Sequence, residues 1–413
     1  MPPLRVSTLF VPMLLVLLSL GRAAPAQAQV LGPLQRLPSS LPLPATPLPL
    51  SVPATNLRGV DDLLQQTQTL SRKLQIRNLL RSEPRRVDVD PRGAPILRGE
   101  FLVTGLTGAS LDAVRALGFE VAPATTADTT LGLDFAVLHD TRGRGTAAAL
   151  RALQQAAPAA TFAYQHLYLP AGGGDAGTTS TPATPSSTAT AHRIGLVDGG
   201  VDPSDPALAQ AHIERYGCTK PNPSRHGTAV AARLVAGDPD TLYAADLWCG
   251  DAVGGTTSGL VDALAWMAGA GVPVINISLV GPDNPVLARA VQAMIARGHV
   301  LVAAVGNDGP AAPPLFPAAY PGVIGVSGVD THDRVLPEAA SGAQVAFCAS
   351  GVIGHGRAML RGTSFAAPIV ARLADRLLAA PRPDAAAQVL QSLIGEAHAL
   401  GPRCGHGLLS PGN

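Results

Sequence analysis

Over the second half of the chain, short apolar runs alternate with stretches whose apolar positions recur at helical spacing. The runs RIGLV, TLYAADLW, VPVINISLV, HVLVAAV, VIGVSGV and VAFCA read as strands, with helices predicted from His226, across 258–268, over 285–297 and over 364–379. Strands alternating with helices of about 10 to 15 residues predict an α/β fold with a mainly parallel sheet covered on both faces. In such sheets ligands bind where loops gather at the carboxyl ends of the strands.

Residues 99–170 follow another order: strand FLVTG, helix 111–117, strands FEV and FAVLHD, helix 146–156, strand TFAYQHLY. That is βαββαβ, a small α+β ferredoxin-like sandwich. Ahead of it, Leu63, Leu64, Leu70, Leu74 and Leu79 space out a packing helix over 60–80, and the Pro- and Leu-rich stretch from 29 to about 57 reads as an extended spacer, the two making up segment 29–98. Residues 171–191 (AGGGDAGTTSTPATPSSTATA) are a flexible linker open to nicking, and 192–413 form the large α/β unit.

The first 28 residues carry Arg5, an apolar run over 6–20 and Ala26-Gln27-Ala28, the pattern of a secretory signal peptide. The run is shorter than the roughly 20 residues of a spanning helix. The expectation is an exported protein, secreted or held in the periplasm or envelope, without stable membrane insertion.

Composition narrows the function. Thirty basic against 29 acidic residues leave a net charge of +1, so no electrostatic footprint for nucleic acid or anionic lipid is present. Charged residues are 14% of the chain and hydrophobic ones 46%, enough for a core. Export makes the four cysteines meaningful. Of three pairings, Cys218 with Cys249 and Cys348 with Cys404 is favoured, because these pairs fall in different halves of the C-terminal region. Four buried thiols are the alternative, and none has the spacing of a zinc site.

Four residues stand where chemistry can occur. Asp198 ends the first strand of the large unit, His226 opens a helix in RHGTAVAA, Ser364 lies at the mouth of the helix in RGTSFAAPIVA, and Asn307 follows a strand in AAVGNDGP. Singly, each has a plain reading as a turn residue, a structural histidine, a helix cap or a turn amide. Together they supply an acid, a base, a nucleophile and an oxyanion donor within one α/β unit.

The segments GLVDGGVD, RHGTAVAA, INISLVG, LVAAVGNDGP, PAAYPGVIGVSGVD and RGTSFAAPIVA, in this order, resemble the subtilisin-like serine proteases (subtilases, peptidase family S8). The resemblance implies a serine endopeptidase in which Asp198 orients His226, His226 takes the proton of Ser364, and Ser364 attacks the peptide carbonyl. Asn307 and the Ser364 backbone N–H would hold the oxyanion. The substrate would run as an extended strand beside Ser278, Leu279, Val280 and Gly281. The side chain on the acyl side of the cut would enter a pocket between that segment and Ala303, Ala304, Val305 and Gly306.

The sequence departs from the family at Val280, usually Gly, at Ala229, usually a second His, and in a short stretch 310–320. Val280 is expected to narrow the groove, and Leu315 or Phe316 to make the pocket shallow. The βαββαβ unit resembles the subtilase propeptide, an intramolecular inhibitor whose tail, here Gln165-His166-Leu167-Tyr168-Leu169, lies in the active site, with cleavage expected between Leu169 and Ala191. Peptide or protein substrates are the implied partners. No cofactor is expected: calcium often stabilises the family, but Asp238, Asp240, Asp246 and Asp251 read as solvated loop charges. His299, His355 and His406, beside Gly, read as turn or surface residues. The alternative from another class is a non-catalytic binding module on this scaffold, disfavoured by four intact catalytic positions; a Ser-Glu-Asp sedolisin-type peptidase is disfavoured by His226 and Asn307.

Overall fold

The computed structural model describes residues 72–122, 126–173, 192–236, 238, 240–356 and 359–411. The expected signal peptide, the spacer, the start of the 60–80 helix and most of the 171–191 linker lie outside the described residues. The chain enters through helix α1 (Arg72–Ser82), which buries Ile76. Then come β1 (Val87–Val89), β2 (Pro95–Thr104), α2 (Gly108–Ala116), β3 (Phe119–Val121), α3 (Thr126–Leu131), β4 (Phe135–Asp140), α4 (Thr146–Ala156) and β5 (Thr161–His166). The sheet runs β5-β2-β4-β3 with every neighbour antiparallel, as the βαββαβ reading requires, and β1 pairs with the first residues of β2.

Successive side chains of a strand point to opposite faces, yet Phe101, Leu102 and Val103 of β2 are all buried. Phe101 and Val103 pack with Val114, Phe119, Ala149 and Leu153 under α2 and α4. Leu102 faces the other way and, with Phe135, Val137 and Ala163, joins a cluster that includes Leu260, Leu264, Leu287 and Ala290 of the large unit. The small sheet is therefore covered on its second face by the large unit. Helix α3, which the apolar pattern does not predict, is six residues long, too short to persist alone; burial of Ala127 and Leu131 in that same cluster holds it.

Past β6 (Leu169–Pro170) and β7 (Gly172–Gly173), the large unit runs β8 (Arg193–Asp198), β9 (His212–Tyr216), α5 (Arg225–Val235), β10 (Thr241–Asp246), α6 (Thr257–Gly269), β11 (Val274–Ile277), β12 (Leu279–Val280) and α7 (Pro285–Ala296). It continues with β13 (Val300–Ala304), β14 (Ile324–Val329), β15 (Phe347–Ser350), β16 (Val352–Ile353), β17 (Leu360–Gly362), α8 (Thr363–Arg376) and α9 (Ala385–Glu396). Seven strands form one sheet, β15-β14-β13-β11-β8-β10-β9, and all its pairings are parallel. Strand β13 shows the layering: Val300, Val302 and Ala304 pack toward α5, α8 and α9, while Leu301 and Ala303 pack toward α6 and α7. The chain runs from β8 to β9 on one side and then from β10 across β8 to β11 on the other, so the strand order reverses at β8, whose carboxyl end opens the crevice where such folds bind ligands.

Strand β9 and helix α9 are additions to the predicted elements. Strand β9 (HIERY) pairs only with β10 at the sheet edge, and its largely exposed side chains explain the missing apolar run. Helix α9 buries Ala386, Val389 and Leu393, a spacing that is readable in the sequence. Both expected disulfides are present, Cys218–Cys249 and Cys348–Cys404.

Three of the four supposed loop aspartates are buried, contrary to expectation. Asp238 pairs with Arg372 at 2.6 Å, Asp240 accepts the His192 N–H at 3.0 Å, and Asp246 accepts the Trp248 and Cys249 N–H groups. Flanking or ending β10, they lie under neighbouring elements and must find partners there. Only Asp251 is exposed, bound bidentately by Arg86. His299 is likewise buried, not superficial: its Nδ1 lies 2.7 Å from the Val272 carbonyl, and burial lowers its pKa. His355 and His406 are exposed, as expected.

Asp375 of α8 is buried next to Asp240. Burial first, and the Asp240 charge second, push its carboxyl up to about 8, and its Oδ2 lies 3.1 Å from His192 Nδ1. Between its ordinary value of 3.8 and about 8 the folded chain holds a proton that the unfolded chain releases. Stability at this site therefore falls as pH rises through that window. Asp375→Asn is expected to remove this dependence. Thermal melts should then show the variant gaining on its parent at pH 8.5 relative to pH 5.

Candidate active site

Asp198, the last residue of β8, is fully buried, and its Oδ1 accepts the Gly199 N–H at 2.6 Å and His226 Nδ1 at 2.8 Å. His226 sits in the first turn of α5, whose start is fixed by Ser224: its side chain accepts the Gly227 N–H at 2.9 Å. A Cβ at position 227 would overlap the Gly199 carbonyl oxygen and lie 2.8 Å from that of Gly200. Glycine thus lets the helix start press against the end of β8, bringing imidazole to carboxylate. With Nδ1–H given to Asp198, Nε2 is left as the basic nitrogen, buried and unpartnered among the described residues. The Phe365 ring, 5.2 Å from the imidazole between centroids, packs against it.

Ser364 is the second residue of α8, where unpaired N–H groups favour developing negative charge. Its hydroxyl donates to the Ser278 carbonyl at 3.3 Å. The return contact arises from a residue the sequence reading passed over. Pro368 lies inside α8 and has no N–H to give the carbonyl of residue 364. That freed carbonyl accepts the Ser278 hydroxyl at 3.2 Å, and Ser278 Oγ accepts in turn from Asn276 Nδ2 at 2.9 Å. A proline within a helical pattern is the signal that points to this freed acceptor.

Asn307 is oriented by Thr363, also unmarked in the sequence reading. The Thr363 N–H donates to Asn307 Oδ1 at 3.1 Å, and Thr363 Oγ1 accepts the Gly306 N–H at 3.1 Å. With its oxygen engaged, the Asn307 amide aims Nδ2, buried and unpartnered among the described residues, as a free donor. Preorganised donors of this kind stabilise a developing oxyanion.

The predicted groove residues are gathered here. Leu279 and Val280 form β12, Gly281 bridges Phe316, and Ala303, Ala304 and Val305 are fully buried. Leu315 lies over Gly306: a Cβ there would be 2.9 Å from its Cδ1 and 3.6 Å from Val280 Cγ1. A strand occupies the groove. Strand β6 pairs antiparallel with β12, and β7 with β17. The stretch crossing the candidate site is therefore Tyr168 to Gly173, three to four residues beyond the expected Gln165–Leu169 tail. Gln165 and His166 are held further back, Gln165 by Ser258 and His166 by Asp90 and Asn284. Tyr168 is wholly buried, which pushes its phenol pKa up, and its hydroxyl donates to the Pro282 carbonyl at 2.8 Å.

Comparison with known proteins places this geometry. The Subtilase family model matches residues 190–407. Subtilisin DY from Bacillus licheniformis is 31% identical over 232 residues, 51% of this chain and 84% of that protein. The thermophilic serine proteinase of Bacillus sp. strain AK1 is 35% identical over 207 residues, 45% of this chain and 51% of its own length. Among solved structures, fervidolysin from Fervidobacterium pennivorans, described as a keratinolytic enzyme related to subtilisin, shares the fold at a TM-score of 0.60 and 19% identity. That likeness covers 78% of this chain and 61% of fervidolysin.

If the Gly227 contact sets the distance between imidazole and carboxylate, Gly227→Ala should push α5 off β8. Displacements of about 1 Å can cost about 100-fold in rate. A loss of that order in kcat/KM on a peptide substrate, with the variant still folded by circular dichroism, is the expected outcome.

Proposed function

Because the chain belongs to the subtilase family and is a serine-type endopeptidase, we propose that it is an exported enzyme, made as an inhibited precursor, that cuts peptide bonds through an acyl-enzyme on Ser364. The observation that carries this reading is the 2.8 Å Asp198–His226 hydrogen bond, which leaves His226 Nε2 without a partner among the described residues. In the proposed cycle His226 Nε2 takes the Ser364 proton as Oγ attacks the carbonyl, and Asp198 stabilises the resulting imidazolium. Asn307 Nδ2 and the Ser364 N–H receive the oxyanion, His226 protonates the departing amine, and water then releases the acyl group by the same route.

Export is supported by the signal-peptide pattern at residues 1–28 and by two disulfides, which persist in oxidising compartments. No helix among the described residues is long and apolar enough to cross a membrane. The precursor reading is supported by the fit of the small sheet against α6 and α7 and by the strand it sends through the groove. In this reading the segment acts as a tethered inhibitor, its effective concentration set by the short connection.

A fluorophosphonate probe should label the processed protein, and Ser364→Ala should abolish labelling; label that survives the substitution would sink the assignment. Asn307→Ala is expected to lower kcat by about 100- to 1000-fold with little change in KM, the cost known for the corresponding donor in subtilisin. Steady-state kinetics on a peptide substrate measures it.

A further inference from the structure

We propose that the Ala171–Gly172 bond is the bond this enzyme cuts in its own precursor, and that the site selects peptides with an alanine-sized residue on the acyl side of the cut and a tyrosine-like residue three positions earlier. The inference rests on the serine-endopeptidase reading above and names its substrate class.

The register follows from where the crossing strand changes partners. Leu169 pairs with Val280 and Pro170 with Leu279, and the Ala171 N–H donates to the Ser278 carbonyl at 3.0 Å. From the next residue the partner is the other wall: Gly172 pairs with Gly362 and Gly173 with Arg361. Gly362 is two residues before Ser364, and the Ser364 hydroxyl donates to the same Ser278 carbonyl that holds Ala171. The peptide unit spanning the two walls, next to the nucleophile, is thus Ala171–Gly172. Residues before it are committed to β12, and Gly173 is committed to β17.

Selectivity follows from what surrounds the strand. Ala171 is 3% exposed and belongs to one apolar cluster with Val280, Leu315 and Ala304. Val280 and Leu315 both crowd Gly306, so the space that would take a long acyl-side residue is filled by the protein's own side chains. Tyr168 lies in a slot shaped by two glycines. A Cβ at Gly281 would come within 2.5 Å of its ring, and one at Gly255 would overlap its carbonyl oxygen. The Tyr168 N–H donates to the Gly255 carbonyl at 2.7 Å, and its hydroxyl to Pro282, so ring, backbone and phenol are all matched.

In the step itself, Ser364 Oγ bonds to the Ala171 carbonyl carbon while its proton passes to His226. The bond from that carbon to the Gly172 nitrogen breaks, and the nitrogen takes the His226 proton to become a new amino terminus. Water then adds to the ester and leaves the Ala171 carboxylate and the regenerated Ser364 hydroxyl.

Purified wild-type chain and its Ser364→Ala variant, compared by intact mass and N-terminal sequencing, should show a mature chain beginning at Gly172 and an uncut precursor, respectively. Processed enzyme is then given internally quenched peptides containing Tyr-Leu-Pro-Ala-Gly-Gly. Phe in place of Ala should lower kcat/KM by at least about 10-fold, and Ala in place of Tyr by about 100-fold. Val280→Gly enzyme should recover much of the loss with the Phe peptide. A Ser364-dependent cut at another bond, no cut at all in chains whose Ser364 still takes a fluorophosphonate, or Phe and Ala peptides cleaved equally fast would overturn the inference while leaving the endopeptidase reading standing. Failure of Ser364 to label would instead overturn that reading.

Discussion

The carbonyl of Ser278 is where the separate parts of this molecule meet. It accepts the Ser364 hydroxyl at 3.3 Å and the Ala171 N–H at 3.0 Å, so one acceptor holds both the Ser364 side chain and the strand lying across it. It can serve both because it stands at the carboxyl end of β11, beyond the last sheet pairing at Ile277, where the parallel ladder no longer uses it. The Ser278 side chain ties the same point to the Ser364 carbonyl, left open by Pro368. A hydrogen bond missing from α8 is thereby replaced by one that fixes the helix start against the groove.

Two side chains of the candidate site, His226 and Asn307, are each held through one polar atom while the other is left without a partner among the described residues. His226 is anchored through Nδ1 with Nε2 free, and Asn307 through Oδ1 with Nδ2 free. Buried polar atoms without partners cost free energy, and donors held ready in this way are suited to stabilising developing charge. The small N-terminal sheet contributes in a different way. By covering α6 and α7 it anchors the strand that leaves β5, and the groove is filled along its length by residues of the chain itself.

Much of this was legible in the residues. The apolar runs locate six of the seven main-sheet strands, and the motifs around Asp198, His226, Asn307 and Ser364 locate the segments that meet at the candidate site, His226 against Asp198 and Phe365 and Asn307 against Thr363. What escaped had weak local signals. Strand β9 is an exposed edge with no apolar run, and α3 has almost no intrinsic helical drive and exists by burial against the large unit. The aspartates around β10 looked like loop charges because composition cannot reveal which carboxylates lie beneath a neighbouring helix.

The sequence by itself determined the layered α/β architecture, the βαββαβ unit before it and which side chains are candidates for the site, because these follow from hydrophobic period and from residue types that stand together in short motifs. The tertiary structure alone decided which residues of the crossing segment lie beside Ser364 and what surrounds them. Register in an antiparallel pair is set by contacts between segments far apart in the chain, here 169–170 against 279–280 and 172–173 against 361–362. A reading of the tail from the topology and position of the βαββαβ unit fell three to four residues short for that reason. Likewise, only the tertiary structure brings Val280 and Leu315, 35 positions apart in the chain, together over Gly306.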